Sequence, residues 1–386
     1  MNVFSVIIVS FLLILNILLG SGAGWSCRAS NDRKNYTCVG WNFYGFKYHI
    51  TTTILQHLVR MIILDCKETN LPEDTIEYTF IKYLTISSCD VETIHENAFR
   101  NLNNLEELDL GNNSISILPD RVFKRSGELK KLNLSNNNIE ELSRNTFEGL
   151  SNLKLLYLSK NTISRFHIKT LDPTNSLEEI YLDNNQITAI PSRVFSPLTD
   201  LRAADFSYNN IRSVDNLFST TFRLTFLNLS HNALVELPEK DFQFTNLKIL
   251  DLSFNKLTVL YEQSFKLYTL RELYLQNNEI TMFEVKGTDF NQIPLSVLDL
   301  RHNKLVFLDE NFVKIAEDLV TFKMEGNPWD CNCFERIILL RGDLPVDFSL
   351  PYISGKKPIC VAAISNSGNP CNIDKSKLSY YYKVYE

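Results

Sequence analysis

Histidine is scarce in this chain. Six occur in 386 residues, and none stands in a cluster with metal-ligand spacing. An imidazole-based metal centre is therefore not the organising feature. A basic excess is missing too. Lysine plus arginine number 39 against 45 aspartates and glutamates, for a formal net charge of −6. Nucleic-acid binding needs a footprint of the opposite sign. The chain has no Gly-rich phosphate loop and no G-x-S-x-G nucleophile turn, so neither a cofactor nor a catalysed reaction is expected. After its first residues it has no run long and apolar enough to cross a membrane. The tail, SKLSYYYKVYE, lacks the hydrophobic end of a lipid-anchor signal.

What is present begins with MNVFSVIIVSFLLILNILLGSGAG. This stretch is apolar from Val3 to about Leu19 and ends in small residues, with Ser21 and Ala23 placed for cleavage after Ala23. It reads as a secretory signal peptide over residues 1–23, although no Lys or Arg precedes its apolar core. The competing reading is an uncleaved anchor, which needs about 20 apolar residues, and the run is shorter. Export puts the chain in the extracellular space, where cysteines oxidise. Its eight cysteines are Cys27, Cys38, Cys66, Cys89, Cys331, Cys333, Cys360 and Cys371. The even count, split between the two ends, fits four disulfides. Cys27 and Cys38 are eleven residues apart and are expected to bridge.

The interior is periodic. In LKKLNLSNNNIEELSRNTF, residues 129–147, Leu132 and Leu134 form a strand core, Asn137 marks a turn, and the return stroke ends in Phe147. One such unit cannot bury its apolar face and needs a copy on each side. The Asn slot recurs at Asn113, Asn137, Asn161, Asn185, Asn209, Asn232, Asn255, Asn278, Asn303 and Asn327, at spacings of 23 to 25 residues. A buried amide there satisfies backbone groups that would otherwise cost about 1–3 kcal/mol each. Cys66 and Cys89 occupy the same slot in the first two repeats. Adjacent coils lie about 4.8 Å apart, close enough for a disulfide; the alternative is two small buried thiols. On the return side Phe99, Phe123, Phe147, Phe195, Phe242, Phe265, Phe290 and Phe312 form a spine. The repeat after Asn209 places Ser219 in the Phe slot, with Leu217 and Phe218 just before it. The segment MFEVKGTDFNQIPLS after Asn278 carries an insertion.

The pattern LxxLxLxxNxLxxL…F resembles the leucine-rich repeat family over roughly residues 58–330. The resemblance implies an α/β fold: a right-handed solenoid, or horseshoe, with a concave parallel β-sheet and disulfide-bonded caps. The expected order is a signal peptide (1–23), an N-terminal cap (24–57), about eleven repeats (58–327), a cysteine-rich C-terminal cap (328–372) and a flexible tail (373–386). NPWDCNCFERIILL resembles the C-terminal cap of extracellular members, which implies the pairs Cys331–Cys360 and Cys333–Cys371 and a short helix over Phe334–Leu340. The N-terminal cap departs from the family's usual four clustered cysteines. LTISSCDVETIHENAFRNLNNLEELDLGNNSI is similar to insect secreted leucine-rich immune proteins and to Toll-like receptor ectodomains.

Function then rests on the positions the repeat leaves free. On the concave face these include Tyr157, Tyr181, Asp183, Tyr208, Phe254, Tyr274 and Arg301. Tyr and Arg are enriched at protein interfaces, but tyrosine also simply suits strands. His231 and His302 border the row. Asp109, Asp205, Asp251 and Asp299 recur in one mid-strand slot and read as solvated. Glycosylation sequons occur at Asn35, Asn112, Asn133 and Asn228. Arg341–Gly342–Asp343 spells the integrin tripeptide, a match short enough to arise by chance. The expected function is a secreted protein-binding scaffold in innate immune recognition. Its partner would be a protein ligand or receptor, a microbial surface or a complement-like factor. The alternatives are cell adhesion or extracellular-matrix organisation, and a soluble receptor decoy or inhibitor. The repeat specifies neither a ligand nor an oligomeric state.

Overall fold

The computed structural model describes residues 26–30, 34–40, 58–76, 80–238, 242–261, 267–284, 293–308, 319–331 and 333–334, with short stretches at 353–354, 357–358, 360–361, 379 and 382–383. The expected signal peptide, most of the expected N-terminal cap, Phe265, Phe290, Phe312, Arg341–Gly342–Asp343 and Cys371 lie outside the described residues. So do residues 285–292, which hold most of the inserted segment, and residues 335–340 of the expected helix.

Each coil is built from the short alternation that the sequence carries. In L-x-L the two leucines point inward and the residue between them points outward. Leu132 and Leu134 are fully buried, as are Ile139, Leu142, Phe147, Leu150 and Leu153 of the same coil. A strand of three residues is too short to stand alone, and stacking in register is what stabilises it.

The chain forms two compact units, Met1–Leu177 and Glu178–Glu386. The first opens with an antiparallel hairpin, β1 (Ser26–Ala29) against β2 (Asn35–Val39), in which Cys27 faces Cys38. From β2 the sheet runs parallel through β3 (Arg60–Leu64), β4 (Tyr83–Ser87), β5 (Glu107–Asp109), β6 (Lys131–Asn133) and β7 (Leu155–Tyr157). The register is one coil to the next: Leu84, Leu108, Leu132 and Leu156 stand in line. The second unit repeats the plan with β8 (Glu179–Tyr181), β9 (Ala203–Asp205), β10 (Phe226–Asn228), β11 (Ile249–Asp251), β12 (Glu272–Tyr274), β13 (Val297–Asp299) and β14 (Thr321–Lys323). All are parallel, with Ile180, Ala204, Leu227, Leu250, Leu273 and Leu298 in line. Each unit is thus a parallel-sheet solenoid of stacked coils. Among the described residues of the coils the return side holds turns and short strand pairs, such as Glu141–Leu142 beside Arg165–Phe166, and almost no helix.

The asparagine ladder ties each coil to the one before it. Asn137 Nδ2 donates to Leu110 O and Leu134 O, each at 3.0 Å, and its Oδ1 accepts from Ile115 N at 3.0 Å. Asn161, Asn209, Asn255 and Asn303 repeat the pattern. Asn113 accepts from Cys89 N at 3.0 Å, so the ladder runs into the cysteine slots. Cys66 and Cys89 form a disulfide with Cα atoms 4.2 Å apart, and Cys27 and Cys38 form one at 4.0 Å. Cys331 and Cys333 are each engaged in a disulfide as well. Just before them Trp329 and Asp330 pair with Cys360 and Val361 in a two-residue parallel bridge.

The spine needs one correction. Ser219 does not take the Phe slot of its coil; Phe218 does. Its ring stacks 5.6 Å from Phe195 and 5.9 Å from Phe242, and it is fully buried. That coil is one residue short, with 23 residues from Asn209 to Asn232. The missing residue lies between the Asn and the Phe, so the ring arrives one position early. Leu171 fills the slot after Asn161 and is fully buried.

Candidate functional site

The exposed face of the second unit's sheet gathers most of the residues singled out for binding. In each coil the outward positions are the first and third strand residues, the residue two further on, and the one after that. In the coil of β9 they are Ala203, Asp205, Ser207 and Tyr208.

The fourth of these positions is conformationally demanding. It lies in the left-handed region in coil after coil: Asn112, Asn136 and Lys160 in the first unit, and Asn184, Tyr208, His231, Phe254, Asn277 and His302 in the second, all with φ between 53° and 56°. Asn adopts this region readily, while a bulky aromatic does so under strain. Such strain is of order 1–3 kcal/mol per residue and collects at functional positions. Three consecutive coils nevertheless carry aromatics there. The imidazole of His231 lies 4.0 Å from the Tyr208 ring on one side and 4.0 Å from the Phe254 ring on the other, nearly parallel to both. Tyr208 is 51% exposed and Phe254 42%. Burial between the two rings holds the His231 pKa below its ordinary value, against a weaker upward pull from Asp251.

Beside the stack runs a row of small, buried serines: Ser207, Ser230 and Ser253. Beyond the serines come Asp205, Asn228 and Asp251. Asp205 accepts from Ser207 N at 2.8 Å and from Asn228 Nδ2 at 3.1 Å. Burial nonetheless raises its pKa above the usual carboxylate value. Asp251 accepts from Ser253 N and Oγ at 2.9 and 2.6 Å. Among the described residues neither carboxylate forms an ion pair. The three coils are framed by two matching contacts. Tyr181 OH donates to Glu179 Oε2 and Tyr274 OH to Glu272 Oε2, each at 2.8 Å. Burial, followed by the Glu272 contact, pushes the Tyr274 hydroxyl up to about 12.

Other candidates are placed differently. Tyr157 belongs to the first unit, where Lys131 Nζ sits 5.5 Å from its ring centroid. Asp183 accepts from Asn184 Nδ2 at 2.8 Å. Arg301 is committed within the chain, because its Nε and Nη2 bind both oxygens of Asp299, at 2.9 Å to Oδ1 and 2.6 Å to Oδ2. Asp299 itself is buried, which corrects its reading as a solvated carboxylate; a buried charge needs a paired cation, and Arg301 with Lys323 at 3.8 Å supplies it. Asn133 and Asn228 lie half-buried on strands with their Nδ2 atoms donated to Asp109 and Asp205. Asn35 and Asn112 are exposed. Among the described residues there is no cluster of potential metal ligands and no helix long and apolar enough to cross a membrane.

Sequence reasoning missed Glu179 and Glu272 as phenol partners, and with them Ala203, Phe226 and Ile249, which line the same edge of the face. The signal was there: each stands two residues before the mid-strand position and so shares its face. It also treated Tyr208, His231 and Phe254 as a border, whereas they form one continuous stack.

The leucine-rich repeat model matches residues 81–139, 127–187, 175–234 and 245–305. The chain belongs to the leucine-rich repeat family. Among solved structures it is similar to the mosquito LRIM1/APL1C complex, with 22% identity over 84% of this chain and 67% of that one and a TM-score of 0.61. The APL1 leucine-rich repeat domain gives 23% identity over 81% of this chain and 93% of that one, also with a TM-score of 0.61. An internalin from Listeria monocytogenes gives 18% identity over 75% of this chain and 86% of that one, with a TM-score of 0.56. At these identities the likeness is one of fold. No curated relative matches the chain by sequence.

Proposed function

We propose that this protein is a secreted recognition scaffold of innate immunity that binds another protein through the exposed sheet face of its second unit. The observation that carries the binding part is the Tyr208–His231–Phe254 stack. It places exposed aromatic surface on a rigid sheet, beside carboxylates that have no ion pair among the described residues. Aromatic anchors on a preformed surface are the usual source of interface energy. The leader-like first 23 residues and the disulfides support export. The immune part is supported by the likeness in fold to LRIM1 and APL1, which are insect immune leucine-rich repeat proteins.

Glycans belong on Asn35 and Asn112 in this reading. Asn133 and Asn228 are half-buried in the sheet, and a glycan on Asn228 would stand on the binding face.

The test is cross-linking of the tagged protein in its native extracellular fluid, with cross-linked peptides identified by mass spectrometry. Cross-links from the second unit's sheet face to a defence protein or a receptor are the expected result. Partners drawn only from matrix or adhesion proteins would replace the immune reading with the adhesive one. Retention of the protein inside expressing cells would overturn secretion.

A further inference from the structure

The exposed aromatics lie on a face of one charge sign. From β8 to β12 its outward positions include Glu179, Asp183, Asp205, Asp251 and Glu272, and no Lys or Arg. The carboxylate at Asp299, in the same mid-strand slot, shows what the fold does when it neutralises such a charge itself. It recruits Arg301 and Lys323. Asp205 and Asp251 have no equivalent among the described residues. Two carboxylates are thus left for an outside cation. They sit two strands apart, which is about 9–10 Å.

The neighbouring stack has a complementary oddity. Asn184 and Asn277 take the left-handed position on either side of it without strain. Of the three aromatics between them, Tyr208 and Phe254 hold the same φ at a conformational cost, and the half-exposed rings of these two add little to the buried core. Such strain kept on both sides of His231 points to a use for the exposed rings.

We infer that the face of β9–β11 binds a cationic, extended segment of a partner polypeptide. Two Arg or Lys side chains spaced about 10 Å apart would seat on Asp205 and Asp251, with their methylene stems along the edge of the Tyr208–His231–Phe254 stack. The buried serine row between stack and carboxylates, made of small side chains, leaves room for the stems. This inference rests on the protein-binding reading and names the chemistry of the partner. A polyproline II segment with a basic residue at every third position meets the spacing, since three residues rise roughly 9 Å on one side.

The test uses the full chain and a fluorescent, proline-spaced peptide with arginine at every third position, read by anisotropy. The expected result is saturable binding that weakens as salt rises. Asp205→Ala with Asp251→Ala should weaken it about ten-fold or more, the range for losing close charge pairs. Tyr208→Asn with Phe254→Asn should weaken it comparably while the melting temperature holds or rises, because Asn is what the adjoining coils use at that φ. A glutamate version of the peptide should not bind. Binding of the arginine peptide unaffected by either pair of substitutions would overturn the inference. So would equal binding of the glutamate peptide or of a neutral oligosaccharide. A cross-linked native partner that binds both substituted proteins as well as the unsubstituted one would overturn it too, while leaving the protein-binding reading intact.

Discussion

At the scale of the residue, one asparagine per coil adds side-chain bonds to the backbone ladder that joins the coils. Asn137 serves four backbone groups, Leu110 O, Leu134 O, Ser135 O and Ile115 N, and two of these belong to the preceding coil. Asn137→Ala leaves Ile115 N without its partner in a dry interior, while Leu110 O and Leu134 O each lose one donor and keep Asn113 and Asn161. At roughly 1–3 kcal/mol for the orphaned N–H and about 1 kcal/mol for each further bond lost, the expected loss is about 3 kcal/mol or more, read from urea unfolding. Asn137→Asp should not rescue it, because a carboxylate cannot donate. His231 supplies a pH signature. Burial holds its folded pKa below the usual histidine value, so the fold prefers the neutral ring. The stability this contributes is present above the ordinary pKa of about 6.5 and drains as pH falls through the lower folded value. Melting curves between pH 7.5 and 5.0 should therefore fall more steeply for the native protein than for His231→Asn; parallel curves would contradict the stacked, desolvated ring.

At the scale of the element, the coil tolerates a change in length because its loops absorb it. The 23-residue coil after Asn209 keeps its strand and its Asn and moves the Phe forward by one position. Phe218→Ala should cost about 3–5 kcal/mol in thermal or denaturant unfolding, as for a fully buried ring. Ser219→Ala should stay within about 0.5 kcal/mol. The pair distinguishes the two registers directly. The strands were legible in the sequence because L-x-L alternation needs only local chemistry. The position of this ring was not, since counting from the Asn presumes a constant loop. Only packing between Phe195 and Phe242 decides which residue completes the spine.

At the scale of the whole molecule, two features distinguish the units. The first begins with a disulfide-stapled hairpin and carries the Cys66–Cys89 cross-link between its first parallel coils. That bond closes a loop of 23 residues, worth about 3 kcal/mol by loop-closure entropy. Replacing both cysteines by Ser should lower the melting temperature and speed proteolysis within residues 58–112, with the second unit's strands keeping their hydrogen-exchange protection. The second unit carries the one-signed stretch from β8 to β12 and the aromatic stack. The first has Arg60, Lys131 and Lys160 among its outward residues and, among its described residues, no such stack. A partner that reads charge is therefore directed to the second unit.

The sequence by itself determined the repeat, the inward leucines, the asparagine ladder and the cysteine slots. Each follows from short-range periodicity and from the need to satisfy buried backbone groups, and both are written into every coil. Tertiary structure alone decided which outward residues act together. Tyr208, His231 and Phe254 are 23 residues apart in the chain, and a stack exists only because parallel register brings their rings to 4.0 Å. Likewise only the packed sheet shows that Asp299 is neutralised from within while Asp205 and Asp251 are not. Repeat position puts a residue on a face. What it does there depends on neighbours one coil away.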